Sequence, residues 1–250
     1  MKIVRTVSEE DFDREAAKIL ISKMRTPGGI VMGLSTGRTT GAMHRIAAEL
    51  YRQDPFDISG VTFFAIDEVT GIPDTNPWAC RAKLKYELLD SLGVKDGNFL
   101  SLPCISEDYI KDGEKFIAEL QRRGGIGFAV VGLGENGHVG FNQPGTPFGN
   151  AADAGNSAGG VLLSSMDSGL EDRIRTSCGL GSDVRLGGIT LDLAAIMGAK
   201  EILLPVKGSA KAGILREVVN GPVTENVPAS ILQLHPDCTL LADSEALSQL

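Results

Sequence analysis

Short apolar, β-branched runs recur along the chain at 30–34, 61–66, 128–131, 201–206 and 239–242. Between them lie longer segments whose apolar residues fall at helical spacing. Residues 39–51 place Met43, Ile46, Ala47 and Leu50 on one face, and 79–92 does the same with Leu84, Leu88, Leu89 and Leu92. The stretch 109–122 aligns Ile110, Phe116, Ile117 and Leu120, and 209–219 ends at Asn220-Gly221, a helix stop. Strands that read as continuous apolar runs are buried on both faces, and parallel strands need crossover helices to join them. The pattern therefore predicts an α/β fold: a mostly parallel sheet with helices on both faces, in three α/β/α layers. No internal repeat or linker divides the 250 residues, so one domain over 1–250 is expected.

One stretch breaks the alternation. Residues 145–188 are rich in Gly, Ser, Asp and Ala, with a single weak apolar run at 161–163. We read this segment as a lid or mobile loop over a site.

Charge and cysteine usage exclude several classes. The chain carries 24 Lys and Arg against 32 Asp and Glu, a net charge of −8. Such a field repels nucleic acid and anionic membranes, so neither is expected as a partner. No run approaches the roughly 20 apolar residues that span a bilayer. The N-terminal stretch turns acidic at once, without the apolar core of a signal peptide. Cys80, Cys104, Cys178 and Cys238 are scattered, with no C-x-x-C pair. These features predict a cytoplasmic chain with reduced thiols and no metal site.

In open α/β sheets ligands bind beyond the carboxyl ends of the strands, which directs attention to three strand ends. The first is Ser35-Thr36-Gly37-Arg38-Thr39-Thr40, a hydroxyl-rich turn before a helix. It reads either as a helix cap or as a cradle of backbone N–H groups for an anion, and its place at a strand end favours the cradle. The second is Asp67-Glu68, two carboxylates that point to opposite faces if the strand continues. A partly buried carboxylate here suits general-base work. The third is Gly132-Leu133-Gly134-Glu135-Asn136-Gly137-His138-Val139-Gly140-Phe141-Asn142-Gln143-Pro144. It contains G-x-G-x-x-G, but Gly140 and Pro144 argue against the helix that a dinucleotide fingerprint must open. Gly134 and Gly137 instead permit close approach of the backbone to a ligand, with His138 aimed into the site. Of the other two histidines, His44 is expected on a helix surface and His235 in a turn before Pro236.

Asp67-Glu68, the loop 132–144, Gly208-Ser209-Ala210-Lys211 and Leu232-Gln233-Leu234-His235-Pro236 occur in an order that resembles the glucosamine/galactosamine-6-phosphate deaminase/isomerase family, related to the 6-phosphogluconolactonases. The resemblance runs from about residue 29 to 243 and implies a Rossmann-like sheet. It also implies proton transfer between C2 and C1 of a ring-opened amino-sugar 6-phosphate. By position, Asp67 would be the base, Glu68 the neighbouring site carboxylate, and His138 the group that assists ring opening. Residues Ser35, Thr36, Gly37, Arg38 and Thr39, with Lys211, would hold the phosphate, beside Gly134 and Gly137. No cofactor is implied, the partner is a small sugar phosphate, and the oligomeric state is left open, a homo-oligomer included.

The chain departs from the family pattern at two points. Deaminases carry Asp-Gly-His and then Asn-Glu-Pro, where this chain carries Asn136 and Gln143. Two neutral amides can orient an imidazole but do not stabilise imidazolium by charge. The sequence Pro144-Gly145-Thr146-Pro147 is closer to the lactonase loop, although lactonases carry an Arg where this chain has Val69. Two alternatives therefore stand beside the isomerase: a 6-phosphosugar lactone hydrolase, and a sugar-phosphate-binding relic without catalysis.

Overall fold

The computed structural model describes residues 1–149, 159–166 and 168–250. In chain order its elements are β1 (Lys2–Thr6), α1 (Glu9–Met24), β2 (Ile30–Leu34), α2 (Gly41–Gln53), β3 (Val61–Ala65), β4 (Asp67–Thr70), α3 (Cys80–Leu84), α4 (Asp90–Leu92), β5 (Phe99–Leu100) and α5 (Tyr109–Arg122). They continue with β6 (Phe128–Val130), β7 (Val161–Ser164), α6 (Ser168–Cys178), β8 (Gly187–Leu191), α7 (Leu193–Met197), β9 (Ile202–Val206), α8 (Ala212–Asn220) and β10 (Cys238–Asp243).

Seven strands form one parallel sheet in the order β1-β10-β9-β6-β2-β3-β5. Side chains alternate across it. Met32, Leu34, Phe63, Phe128 and Val130 pack on the face covered by α1, α2 and α3. Val31, Phe64, Ala129, Ile202 and Leu204 pack on the opposite face, under α5, α7 and α8. The central strands β2, β3, β6 and β9 are apolar but for Thr62 of β3, because both of their faces are covered. The result is the expected three-layer α/β/α sandwich.

Strand β1 and helix α1 are among the elements with no counterpart in the runs read from sequence. Strand β1 pairs only with β10 at the sheet edge and is largely exposed, so its residues need not be apolar. Helix α1 is capped by Ser8, whose hydroxyl accepts the Asp11 N–H, and buries Phe12, Ala16, Ala17, Leu20 and Met24. The helix expected over 79–92 is interrupted by a π turn at Lys85–Leu89. The extra residue keeps Leu84, Leu88, Leu89 and Leu92 buried and turns Glu87 toward α2.

The segment 145–188 needs correction as a loop. Its described part contains β7, α6 and the start of β8, and β7 and β8 join β4 in a second, antiparallel sheet of order β4-β8-β7. This layer is thin: β7 is partly exposed, and within α6 only Ile174 is buried, so its sequence needs few apolar residues. The central part of the expected lid, 150–158, and residue 167 lie outside the described residues.

Both remaining histidines are structural and buried. His44 is sealed inside, with Nδ1 2.9 Å from Glu87 Oε2, because the π turn brings Glu87 over α2. His235 Nδ1 accepts the Asp237 N–H, so Nε2 is the donor to the Ala199 carbonyl, 2.8 Å away.

Candidate active site

From β2 the chain proceeds to β3 and β5 on one side, whereas β6 lies on the other side of β2, followed outward by β9, β10 and β1. The order of strands reverses between β2 and β6, and the crevice above such a point is where α/β sheets take ligands. Ser35 closes the floor of this crevice. Its Oγ donates to the Val130 carbonyl at 2.9 Å and accepts the Gly132 N–H at 3.1 Å. The hydroxyl is thus spent joining two strand ends. The Thr36 hydroxyl is buried beside the Cys80 thiol. Gly37 and Arg38 are exposed, Thr39 is half-buried, and no side chain caps the start of α2. That leaves the first turn of the helix, with its positive end of the dipole, open toward the crevice.

Two basic side chains flank this turn. Arg38 reaches Glu135 at 3.1 Å in an exposed pair, weak by its solvation and easily exchanged for another anion. Lys211 donates to the Leu133 carbonyl at 2.8 Å. Burial holds its proton affinity below that of an ordinary lysine.

On the opposite wall, β3 ends at Ala65. Ile66 bridges the two sheets, donating to Leu34 and accepting from Leu191. Asp67 is the first residue of β4 and faces Thr190 across the antiparallel pair. Its Oδ1 is sealed from solvent without a hydrogen-bond partner, and the Cys80 thiol lies against the carboxylate. Burial first, and the Glu68 charge second, push the Asp67 carboxyl up to about 6. A carboxylate so little compensated is a stronger base than one in water.

Glu68 was expected as a second carboxylate within the site. Strand alternation turns it away from the crevice, and its oxygens are occupied by backbone. Oε1 accepts from Val69 N at 2.8 Å and Cys80 N at 2.6 Å, and Oε2 from Arg81 N at 2.9 Å.

The His138 loop runs without helix from β6 and is folded on its own backbone. Gly134 N donates to His138 O at 2.9 Å, and Gly137, at φ +86°, donates to Gly134 O. A methyl on Gly134 would stand 2.2 Å from His138 Nδ1, so only glycine lets the ring lie across that residue. Gly140, at φ +59°, brings the loop against the other wall: a Cβ there would meet Thr190 Oγ1 and lie 3.7 Å from Asp67 Oδ2. The base and the histidine loop are therefore neighbours in one crevice.

The hydrogen bonds of Asn136 fix the imidazole tautomer. Asn136 Oδ1 accepts the His138 backbone N–H at 3.2 Å and lies 2.6 Å from His138 Nδ1. The backbone N–H can only donate, so the atom facing it is the amide oxygen, and Nδ1 must carry the ring proton. Nε2 then bears the lone pair. Asn136 Nδ2 in turn donates to Gln143 Oε1 at 3.1 Å, so the two amides hold the ring in series.

Sequence reasoning missed Asn142, which is fully buried and donates to the Val139 and Leu191 carbonyls, both at 2.9 Å. It ties the histidine loop to β8, one residue from Thr190. Cys80 was also missed as a neighbour of the base. No local signal marks either, because their partners are distant in sequence. Among the described residues no group of three or more His, Cys, Asp or Glu side chains is placed to hold a metal ion.

Comparison with known proteins bears on this geometry. No protein-family model matches the chain. A glucosamine-6-phosphate deaminase of Thermoanaerobacter pseudethanolicus is 31% identical over 248 residues, covering 99% of this chain and 94% of the relative. Another, of Halalkalibacterium halodurans, is 33% identical over 249 residues, covering 100% and 98%. Among solved structures, a monomeric glucosamine-6-phosphate deaminase superposes with a TM-score of 0.86 at 25% identity, each chain covered in full. A 6-phosphogluconolactonase of Thermotoga maritima shares the fold, with a TM-score of 0.73 at 18% identity over 97% of this chain and all of that one. With curated relatives above 30% identity over essentially the whole chain, and with the same fold, this protein belongs to the glucosamine-6-phosphate deaminase family.

Proposed function

We propose that the chain isomerises and deaminates an amino-sugar 6-phosphate of glucosamine or galactosamine type. The observation that carries this reading is Asp67: a half-buried carboxylate with one sealed, unpartnered oxygen and raised proton affinity, set against the loop that holds His138. His138 Nε2 takes the proton from the anomeric hydroxyl and returns it to the ring oxygen, which opens the pyranose. Asp67 removes the proton from C2 and delivers it to C1, leaving a ketimine at C2. Water adds there and ammonia departs, so the amino sugar and water give ketose phosphate and ammonia. The phosphate lies at the open first turn of α2, held by Thr36, Gly37, Arg38 and Thr39 with Lys211; Ser35 serves by shaping this turn.

The test is proton NMR in D2O with glucosamine, galactosamine and plain hexose 6-phosphates. Loss of the C2 proton signal, with ketose and ammonia formed from one amino sugar, is expected and identifies the epimer. No exchange with any of these sugars rejects the reading. One observation favours a second activity: an imidazole oriented by amides through Nδ1 also suits water activation through Nε2 for lactone hydrolysis. The Asp67→Asn variant separates the two, since it abolishes carbon-acid chemistry and spares lactonase turnover.

A further inference from the structure

Glu68 occupies a position that its neighbour's chemistry does not explain. It is fully buried, follows the base directly, and faces away from the crevice. Its three backbone donors come from two places: Val69 on its own strand, and Cys80 and Arg81 at the start of α3. Helix α3 has Ala79 at its N-cap, which supplies no side-chain cap. The Glu68 carboxylate takes that part from 12 residues upstream in sequence, binding the free N–H groups of the first turn. This fixes where Cys80 stands, and Cys80 is the residue whose thiol lies between the Thr36 hydroxyl and the Asp67 carboxylate.

Resting on the assignment of Asp67 as base, we propose that Glu68 is a positioning residue: it pins the start of α3 so that Cys80 is seated against Asp67, and the negative charge of its ionised form, behind the base, favours proton uptake by Asp67. The groups that face this pair are few. Cys80 and Lys83 of α3 face Asp67, while Arg81 of α3 and Cys104 lie by Glu68. Lys83 and Arg81 oppose the effect of Glu68 by favouring ionised carboxylates. The three N–H donors also favour the ionised form of Glu68 itself, against the burial that raises it.

A helix cap alone would affect stability and turnover but would leave the proton affinity of Asp67 where it is. The decisive measurement is therefore the titration of the Asp67 carboxyl carbon in 13C-aspartate-labelled protein, assigned with Asp67→Asn and recorded without substrate. In Glu68→Gln the midpoint is expected to move down by about half a pH unit or more, since a like charge has been removed. A folded Glu68→Gln protein with the midpoint of the parent overturns the electrostatic role. Glu68→Asp keeps the charge but withdraws it from α3 by one methylene. Its midpoint should stay near that of the parent while kcat falls about tenfold with little change in KM, as expected when a base is displaced by less than 1 Å. Parent-like kcat in Glu68→Asp overturns the positioning role. Because the titration needs no turnover, it stands even if every tested sugar proves inert, so failure of the functional assignment and failure of this one are distinguishable.

Discussion

Asp67 and His138 approach the same crevice from opposite walls, and their surroundings differ in kind. Asp67 begins a strand between two sheets, with one oxygen shut away from water, a second carboxylate behind it, and Lys83 as the cation that faces it among the described residues. His138 sits on a glycine-rich loop, half-buried, with two neutral amides in series behind Nδ1. The base is strengthened by withholding solvation, whereas the amides behind Nδ1 aim the ring. A desolvated carboxylate gains proton affinity from its place in the fold, which costs stability. A hydrogen-bonded imidazole gains geometry but no stabilisation of its charged form.

The largest effect should come from removing the desolvated charge. Asp67→Asn should lower C2 exchange by about 10³-fold to 10⁴-fold, read by NMR in D2O. The same variant should be more stable at neutral pH. The Asp67 carboxyl titrates at about 6 in the folded protein against an ordinary 3.8. Its contribution to stability is therefore complete below pH 3.8 and is lost as pH rises through 6. The variant should gain about 2 kcal/mol over the parent at pH 8 and nothing from this source below pH 4, by denaturant melts at both values. Equal stability at pH 8 would mean that Asp67 is solvated, and the contrast between the walls would collapse.

A steric change on the other wall should be smaller. Gly134→Ala forces the imidazole off its amide partner, since the new methyl cannot share the space with Nδ1. Anomer interconversion should fall about 100-fold, the scale expected for an angstrom of misplacement, while the Asp67 titration is unchanged. If the Asp67 titration moves as well, the two walls are not independent. Lys211→Met probes the end that both walls share. It should raise KM for the phosphorylated sugar about tenfold with kcat retained, because a phosphate contact serves ground and transition states alike. A fall in kcat at constant KM would place Lys211 with the proton-transfer groups instead.

The parts of this arrangement that could be read from sequence are those with local signatures. The central strands declare themselves because burial on both faces demands unbroken apolar runs. Helix α5 has its ends marked by Asp108, whose side chain accepts the Lys111 N–H, and by Arg122 and Arg123 before Gly124-Gly125. The antiparallel layer was illegible because β7 and α6 are half-exposed and bury little. In the site, the turn after β2, Asp67 and the His138 loop stand out by lying at strand ends. What Glu68 binds was not visible, because two of its three donors are 12 and 13 residues away around an irregular segment. His44 was misplaced for the same reason: only the π turn reveals that Glu87 covers it.

The contrast between the walls can also be sharpened by placing a charge at Asn136. In Asn136→Asp both acceptor bonds from His138 can persist, since either carboxylate oxygen accepts from the backbone N–H and from Nδ1. The bond that Asn136 Nδ2 gives to Gln143 is lost, and rotation of the Gln143 amide lets its NH2 donate to the new carboxylate instead. A charge beside the ring stabilises imidazolium, so Nε2 becomes the stronger base. The expected result is a rise of about threefold to tenfold in anomer interconversion at pH 8, with the acid limb of that rate moved to higher pH. C2 exchange should rise with it only if ring opening limits turnover. An unchanged rate and limb would show that imidazolium is not formed along the path. The neutral amides would then be sufficient for the reaction rather than a handicap to it, and the different tuning of the two walls would follow from what each proton transfer requires.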